Sequence, residues 1–445
     1  MHALTKLIKE DMKPALGVTE PGAIAFAVAS ARKHVSGELV SVNVAMNSGM
    51  YKNAFTCGIP NSNEVGNIYS AALGYVAGNA DAGLEALRDV TEKDNIAAEK
   101  LVKEGKITVS LSEITSRIFI KATVETKDNK ASVTIRDSHT NITRIEVGKK
   151  IVFDTDAEMA EDSDYKKVES KADIVTQSIS DIPNEDKHYI HSYTLAELVE
   201  YVNNVDVKEI EFVKEAFKVN MELFHTGMAS DRTPFGKRLL ERNGGKEFSD
   251  DEQMTASLLC NATIEARVVG IEKPAMSITG SGAHGIIATM PLYAAFKTNG
   301  YSEEQLYRAT MLSYLICTYI KEYSGKLSAF CGCAIAAGTG MACGLVYLRG
   351  GNVEMMGYTL NNMASSITGM ICDGGNHGCT MKGVAAVDAA YKSVDFAMNG
   401  IYIEEAHGIN GKTSEDTMRN IGLIASPGMV GTEKTIVEIF ENKLR

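Results

Sequence analysis

The sequence predicts an α+β protein, with an N-terminal mixed α/β domain that contains an antiparallel sheet, followed by a predominantly helical domain. Between residues 106 and 153, hydrophobic residues recur with a period of two, as in half-buried strands. From residue 192 onward, nearly every segment has helical spacing. The acidic stretch 154–190 lacks an apolar period, and it places the boundary between domains of residues 1–190 and 191–445.

The first 34 residues predict two helices joined by the turn GVTEPG. Thr19 is a candidate helix cap, and Pro21 falls in the first turn of the second helix. Glu20 then lies near a helix N-terminus, where the helix dipole favours a carboxylate. The sequence leaves open whether these helices pack on the second domain.

A strand, SGELVSVNVAMNS, comes next and leads into a polar, glycine-punctuated loop over residues 49–67. Helical patterns cover residues 66–104. Four alternating segments follow, KITVSLSE, RIFIKATVET, KASVTIRD and TRIEVGKKIVF, and the turns KDNK and DSHTN between them indicate an antiparallel meander.

Composition excludes several functional classes. The net charge of -12 and the pI near 5.4 argue against nucleic acid or an anionic membrane as a partner. The eight cysteines lack the spacing of a disulfide framework, and the start MHALTKLIKEDMK lacks the apolar region of a secretory signal. A cytoplasmic protein is expected.

Leu327–Leu348 is an uncharged segment of 22 residues, which is long enough to span a bilayer. Its residues are mostly Ala, Gly, Cys, Ser and Thr, whose transfer into lipid is weakly favourable at best. We therefore expect a central buried helix rather than a membrane span.

Five of the cysteines lie between residues 327 and 382. Cys372 and Cys379 flank DGGNHG, a glycine-rich turn that can fold two thiolates towards one centre, and Cys331 stands about forty residues earlier. A metal or cluster site and a set of buried apolar thiols both fit this spacing.

Several motifs together resemble the L-cysteine desulfidase family, also called UPF0597 proteins, which is related to the iron–sulfur L-serine dehydratases. The resemblance covers nearly the whole chain through segments that include MKPALGVTEPGAIAFAVA, NSGMYKNAF, SHTNITRIE, EARVVGIEKPAMSITGSGAHGIIATMPL, LSAFCGCAIAAG and MICDGGNHGCTMK. Their order and spacing carry the resemblance, since no single motif is diagnostic.

The resemblance implies a [4Fe–4S] cluster held by Cys331, Cys372 and Cys379. Cys333 is the one rival ligand, but two residues two apart on a helix point away from each other, so Cys331 and Cys333 are not expected to ligate together. The remaining cysteines are expected to be packing residues: Cys57, Cys260, Cys317 and Cys343.

The N-terminal turn departs from the family, in which Gly-Cys-Thr-Glu-Pro is common, because Val18 stands in the place of the cysteine. Any role of that cysteine in proton transfer or around the cluster is lost here. Either the role has moved to another residue or the substrate is not cysteine.

Three side chains are candidates for catalysis: His284 in the glycine-flanked loop GSGAHG, His139 in the turn DSHTN, and Glu20. Each also has a structural interpretation: His284 could be part of a helix start, His139 a solvated turn residue, and Glu20 a charge near a helix terminus. His377, between two of the predicted cluster ligands, is a candidate hydrogen-bond donor behind the cluster.

A substrate carboxylate could bind the backbone amides ahead of the predicted helix that follows GSG, namely those of Gly280, Ser281 and Gly282. Lys52 and Asn53 in the long loop, and Arg267 in EARVV, are candidates to hold the same carboxylate, although charged residues are more often solvated.

These observations predict a cytoplasmic iron–sulfur lyase that removes the β-substituent of a small L-amino acid without pyridoxal phosphate. L-Cysteine is the first candidate substrate and L-serine the second. The alternative is a non-catalytic cluster-binding redox or amino-acid sensor, with Val18 as the sign of lost activity. A homodimer is left open.

Overall fold

The computed structural model describes residues 1–115, 117–155, 189–325 and 327–443. Its N-terminal helices are α1 (Ala3–Asp11), α2 (Thr19–Arg32), α3 (Ser48–Ala54), α4 (Gly66–Val76) and α5 (Glu92–Lys103). Its N-terminal strands are β1 (Lys13–Leu16), β2 (Leu39–Asn47), β3 (Ile107–Glu113), β4 (Phe119–Thr126), β5 (Lys130–Arg136), β6 (Ile142–Val147) and β7 (Lys150–Asp154).

Six of these strands form one mixed sheet in the order β3-β2-β4-β5-β6-β7. The antiparallel meander from β4 to β7 confirms the alternating pattern. The prediction that the first alternating segment joins this meander is wrong, because β2 lies between β3 and β4. β3 runs parallel to β2, with Val44 opposite Val109, and the helices α3 to α5 form the crossover that parallel strands require.

Part of the predicted loop at residues 49–67 is helix α3, so that prediction is partly wrong. Gly49 suggested a turn, but it is a packing residue: a Cβ atom there would lie 2.7 Å from the Cβ of Leu327. Met50 and Ala54 are fully buried on the same helix. Burial of this face against the core stabilises the helix, although the local sequence predicts a loop.

The rest of the described chain is helical apart from β8 (Pro274–Ser277), which confirms the α+β class. Its helices are α6 (Leu195–Asn204), α7 (Val207–Ile210), α8 (Lys214–Met228), α9 (Pro234–Arg242), α10 (Glu252–Val268), α11 (Gly282–Asn299), α12 (Glu303–Ser324), α13 (Gly338–Leu348), α14 (Val353–Ile367), α15 (Gly378–Met398), α16 (Ser414–Leu423) and α17 (Val430–Lys443).

The segment predicted as one buried helix over Leu327–Leu348 is buried, but its helical turns begin only at Gly332. The preceding residues are extended because Phe330 pairs with Ile371 in a β-bridge, and the amide of Cys331 donates to the carbonyl of Met370. Among the described residues, no helix is both long and apolar enough to cross a membrane.

Two hydrophobic cores organise the fold. One contains the helices after residue 190 together with Leu4 and Ile8 of α1, and the other contains α2, the sheet and Val437 of α17. The two parts also share a small sheet, in which β1 pairs antiparallel with β8. The predicted boundary at residue 190 stays a prediction, and residues 156–188 lie outside the described residues.

Candidate active site

A cavity of about 590 Å³ lies where the N-terminal and helical parts meet. Most of the predicted site residues line it, although they come from opposite ends of the chain. Those present are Glu20, Asn53, His139, Arg267, Gly280, Ser281, His284, Cys372 and Cys379. Such a volume is typical of small-molecule sites.

A buried carboxylate occupies the N-terminal wall of this cavity. Glu20 lies in the first turn of α2, where its Oε1 accepts a hydrogen bond from Asn53 Nδ2 at 2.9 Å and lies 3.8 Å from Nε2 of His139. Burial alone would raise the pKa of Glu20, but His139, Asn53 and Arg267 together lower it to about 2. Glu20 is therefore a permanent anion in the cavity wall.

Arg267 provides a cation close to this carboxylate. It lies at the end of α10, it is 5% exposed, and its Nε has no hydrogen-bond partner. Its side chain passes beneath the start of α11, since a Cβ atom on Gly282 would lie 2.8 Å from Nε. A buried guanidinium with a free donor beside a helix N-terminus forms a site for a carboxylate.

His284, in the first turn of α11, is held as a neutral imidazole. Its pKa lies well below the ordinary value. Burial is the main cause, and the positive charges of Lys321 and Arg267 act in the same direction. Its Nδ1 lies 2.5 Å from Oγ1 of Thr279, and this hydroxyl donates its own proton to the carbonyl of Ile278. Nδ1 must then carry the proton, which leaves Nε2 free to act as a base.

The turn before α11 fixes this arrangement. Thr279 and Gly280 both have positive φ angles, 51° and 75°, in a tight turn closed by paired bonds between Ile278 and Ser281. A positive φ is strained for a β-branched residue such as Thr279. The carboxylate of Asp11 accepts a hydrogen bond from the Thr279 amide, so the N-terminal helix α1 holds the strained turn in place.

The three predicted cluster cysteines lie close together beside the cavity. The β-bridge described above brings Cys331 next to Cys372, whose amide donates to the carbonyl of Ala329. Burial, together with the proximity of Cys372 and Cys331, raises the pKa of the Cys379 thiol to about 11. Lys382 interacts electrostatically with all three thiols.

The chemistry of this donor set suits an iron–sulfur cluster. Among the residues that the structure describes, no three His, Cys, Asp or Glu side chains are arranged to hold one metal ion. Soft thiolates with nearby cations suit the chemistry and the charge of a four-iron cluster.

The geometric reason for separating Cys331 from Cys333 is wrong. Cys331 precedes the helical turns that begin at Gly332 rather than lying on them, so the spacing rule for helices does not apply to this pair. Cys333 lines the cavity, whereas Cys331 is 4% exposed. The four cysteines expected to be packing residues, Cys57, Cys260, Cys317 and Cys343, are all fully buried.

Lys52 does not line the cavity, in contrast to its predicted role in carboxylate binding. Its ammonium donates to the carbonyls of Ser328, at 2.9 Å, and Cys372, at 2.8 Å, and it lies 3.1 Å from Oε2 of Glu433. Its two hydrogen bonds and this ion pair tie Lys52 to the backbone of the cysteine loop instead.

His377 lies away from the cavity, whereas Val18 lines it. Nδ1 of His377 lies 3.6 Å from the buried carboxylate of Glu265, and the side chain is 53% exposed, so the ring faces away from the cavity. Val18 does line the cavity, and a Cβ atom on Gly375 would lie 3.1 Å from both of its methyl groups. A residue at position 18 therefore faces the cysteine loop.

Comparison with known proteins decides the family. A family model described as the serine dehydratase alpha chain matches residues 81–438. The chain belongs to this family. UPF0597 proteins of several bacteria also match the chain over nearly their full length.

A UPF0597 protein of Clostridium botulinum strain Hall is 39% identical over 438 residues, which cover 98% of each chain. Another, from Caldanaerobacter subterraneus, is 35% identical over 99% of this chain and 98% of its own. A third, from Clostridioides difficile strain 630, is 31% identical over 98% of this chain and 99% of its own. The predicted resemblance to UPF0597 proteins and serine dehydratases is thus confirmed.

Sequence reasoning missed Lys321 and Thr279 as site residues. Lys321 is the one lysine within a run of apolar residues on α12, LICTYIK, and it is 6% exposed. A charged residue inside such a run is a signal for a functional position, because an isolated charge is costly to bury. Thr279 carries no comparable signal, since its φ angle cannot be read from the sequence.

Proposed function

We propose that this protein is an iron–sulfur-dependent lyase that catalyses β-elimination of L-cysteine to pyruvate, ammonia and sulfide without pyridoxal phosphate. The observation that carries the proposal is the composition of the cavity. The helical part of the chain presents clustered thiols, a neutral imidazole and a buried guanidinium, and the N-terminal part presents an ionised carboxylate close to that guanidinium. This combination suits a zwitterionic amino acid that reacts at its α- and β-carbons.

Cys331, Cys372 and Cys379 would hold the [4Fe–4S] cluster. When bound, a cluster with three thiolate ligands supplies one iron with an open position, which acts as a Lewis acid towards a substrate oxygen or sulfur. Lys52 and Lys382 support this loop and add positive charge near the three thiols.

The head group of the substrate is bound by the two charged side chains. The free Nε of Arg267 and the amides at the start of α11 would receive the α-carboxylate. Glu20 would receive the α-ammonium group, since its low pKa keeps it ionised throughout the physiological range. These two opposite charges then fix which face of the amino acid meets His284.

His284 is the candidate for removing the α-proton. Its Nδ1–H bond to Thr279 fixes the ring, and its free Nε2 adjoins Gly332 next to the cysteines. Loss of the α-proton and of the β-substituent gives an enamine, which becomes an imine and hydrolyses to pyruvate and ammonia. A proton returned to the departing sulfur completes the release of sulfide.

L-Serine is the second candidate substrate, and the description of the matched family favours it. Val18 also bears on the choice, since a cysteine desulfidase usually has a thiol at that position. An apolar side chain there forms a pocket wall that accepts a hydroxyl or a thiol leaving group.

Anaerobic reconstitution with iron and sulfide, followed by a pyruvate assay on each amino acid, tests the proposal. We expect pyruvate from L-cysteine, with sulfide released in equal amount, and less from L-serine. More pyruvate from L-serine would assign the protein as a serine dehydratase. A protein with its full iron content and no turnover of either amino acid would be a cluster-binding sensor, and the proposal would fail.

A further inference from the structure

Lys321 is a buried cation of the cavity to which the proposed mechanism gives no role. It lies near the end of α12, lines the cavity and is 6% exposed. Its ammonium donates a hydrogen bond to the carbonyl of Gly325 at 2.8 Å, which uses one of its three protons. Thr318, one turn earlier on the same helix, also lines the cavity, and its buried hydroxyl has no hydrogen-bond partner among the described residues. This corner of the cavity can therefore bind a polar group of a ligand.

The ammonium of Lys321 and the imidazole of His284 border the same small space. A Cβ atom on Gly332 would lie 2.8 Å from Nε2 of His284 and 3.2 Å from Nζ of Lys321. The sum of these two distances is an upper limit for the distance between the two nitrogens. All three residues line the cavity, so a ligand atom in this space contacts the proposed base and the cation together.

Glycine at position 332 keeps this space open. Its φ and ψ angles, -54° and -33°, are ordinary helical values, so the backbone does not require a glycine here. Any other residue would place its Cβ atom 2.8 Å from Nε2 of His284, which is closer than van der Waals contact. The missing side chain thus leaves both nitrogens accessible from the cavity.

We propose that Lys321 is a second catalytic residue, the acid that protonates the departing β-substituent while His284 removes the α-proton. This inference rests on the proposed function, because it assigns a role within that elimination. An elimination acts on two adjacent carbons, so its base and its acid must lie within a few ångströms of each other. The space shared by His284 and Lys321 meets this requirement.

The step is balanced by the two side chains. Nε2 of His284 takes the proton from Cα, and the electrons of that bond form the double bond between Cα and Cβ. The bond from Cβ to sulfur breaks, its electron pair stays on sulfur, and a proton from Nζ of Lys321 converts the departing HS⁻ into H₂S. A proton transfer from the imidazolium of His284 to the neutral amine of Lys321 then restores both groups. With L-serine, the same step releases water.

Other charged groups of the cavity are less suited to donate this proton. Glu20 is ionised and has no proton to give. Arg267 keeps its proton, because a guanidinium does not deprotonate in proteins. The charge of Lys321 also disfavours an imidazolium beside it, so donation of its proton as His284 gains one relieves the repulsion between the two groups.

The test compares two substrates of the anaerobically reconstituted protein that differ only in the leaving group. Chloride leaves without a proton, so β-chloro-L-alanine needs the base but not the acid. We expect Lys321→Met to lower kcat on L-cysteine by about 10²- to 10⁴-fold, and on β-chloro-L-alanine by no more than a few-fold, with unchanged iron content. His284→Gln should instead lower kcat on both substrates. Pyruvate formation measures all four rates.

Two further variants separate proton donation from charge and from the mere loss of a lysine. Lys321→Arg keeps the positive charge but has no transferable proton, so it should lose turnover of L-cysteine as Lys321→Met does. Lys297→Met is the matched control, because the ammonium of Lys297 lies over the ring of Tyr293 and does not line the cavity. Its turnover of both substrates should equal that of the wild type.

The wild type provides a measurement that does not depend on how a variant folds. Burial lowers the pKa of Lys321, whereas the neighbouring Cys317, Cys333, Cys372 and Glu322 act in the opposite direction. An acid works only while it is protonated, so kcat on L-cysteine should fall at high pH as Lys321 loses its proton. No such fall is expected in kcat on β-chloro-L-alanine.

Equal losses on both substrates in Lys321→Met with full iron content, or wild-type turnover of L-cysteine by Lys321→Arg, would overturn the proposal. The same fall in kcat at high pH on both substrates would also overturn it. Unaffected turnover of L-cysteine by Lys321→Met would leave the proposed function standing and assign the returned proton to His284. A wild type with full iron content that turns over neither substrate would reject the proposed function itself.

Discussion

The cavity has an N-terminal wall, which includes Glu20 and His139, and a helical wall, which includes His284 and the cysteines. The two walls differ in whether their side chains are ionised and paired before a ligand binds. On the N-terminal wall, the charge of Glu20 is already balanced by Asn53, His139 and Arg267. On the helical wall, the thiols of Cys331 and Cys379 have raised pKa values and remain protonated until a metal displaces the proton. The first wall is preorganised for recognition, and the second depends on a cofactor for its chemistry.

This difference predicts that substitutions on the two walls have separable effects. Changes among the thiols should remove the cofactor and all activity with it. Changes among the charged residues should leave the cofactor in place and weaken substrate binding or proton transfer. Iron content per chain distinguishes the two classes.

The largest effect is expected for Cys372→Ser and Cys379→Ser. Each should lose nearly all of its iron and its turnover, because two thiolates cannot anchor a cluster that needs three. Iron and sulfide analysis after anaerobic reconstitution measures this, and Cys333→Ser, with iron content close to that of the wild type, is the control. Full iron content in either variant would remove the proposed cluster site.

His284→Gln should lower kcat by about 10²- to 10⁴-fold, the usual contribution of one positioned base, and leave iron content unchanged. His377→Gln is the matched control, since its ring faces Glu265 outside the cavity, and its kcat should stay within a few-fold of wild type. Similar losses in both variants would mean that His284 has no special role.

Arg267→Gln and Glu20→Gln should each lower kcat/KM by about 10- to 100-fold, mainly through KM, because each loses a charged hydrogen bond of roughly 1.5–3 kcal/mol to the substrate. Steady-state kinetics on L-cysteine and L-serine measure this. Since the two side chains interact, the fold-loss in kcat/KM of the double variant should be smaller than the product of the two single fold-losses. A change in kcat alone would contradict a role in ground-state binding.

The acidic limb of the pH profile of kcat/KM should move to higher pH in Lys321→Met. Burial and the Lys321 charge both disfavour the imidazolium form and keep the pKa of His284 low. Removal of the cation raises that pKa, so the base becomes protonated, and activity is lost, at a higher pH than in the wild type. An unchanged acidic limb would mean that another group serves as the base.

The smallest effect is expected for Val18→Cys. Because His284 is positioned as a base, the added thiol should change turnover by no more than a few-fold and alter the preference between serine and cysteine. Turnover of both substrates by wild type and variant measures this. A gain of about 10²-fold or more on cysteine alone would show that a thiol at position 18, and not His284, is the effective base.

The two walls also differ in what the sequence could predict. Cys372 and Cys379 could be placed together because only six residues, which form a glycine-rich turn, join them. Lys52 could not be assigned correctly, since its partners, Ser328, Cys372 and Glu433, lie far along the chain. Periodicity indicates burial, but it does not say which distant groups a buried charge meets.

The same limit explains the errors in the fold. The alternation in residues 107–113 identifies β3 as a strand, but it does not show which strand pairs with β3. In the structure, β2 lies between β3 and β4. Helix α3 was missed because its burial against Leu327 is a long-range contact. Local pattern fixes element type, whereas strand order and the contacts of buried glycines depend on the whole fold.

The central claim is that both walls bind one amino acid, and an anaerobic crystal structure of the cluster-loaded protein with L-alanine tests it most directly. L-Alanine has the substrate head group and no leaving group, so it should remain intact. We expect it in the cavity, with its carboxylate bound to Arg267, its ammonium bound to Glu20, and its methyl group directed to the cysteine loop. L-Alanine bound outside the cavity, or with its carboxylate away from Arg267, would contradict the account.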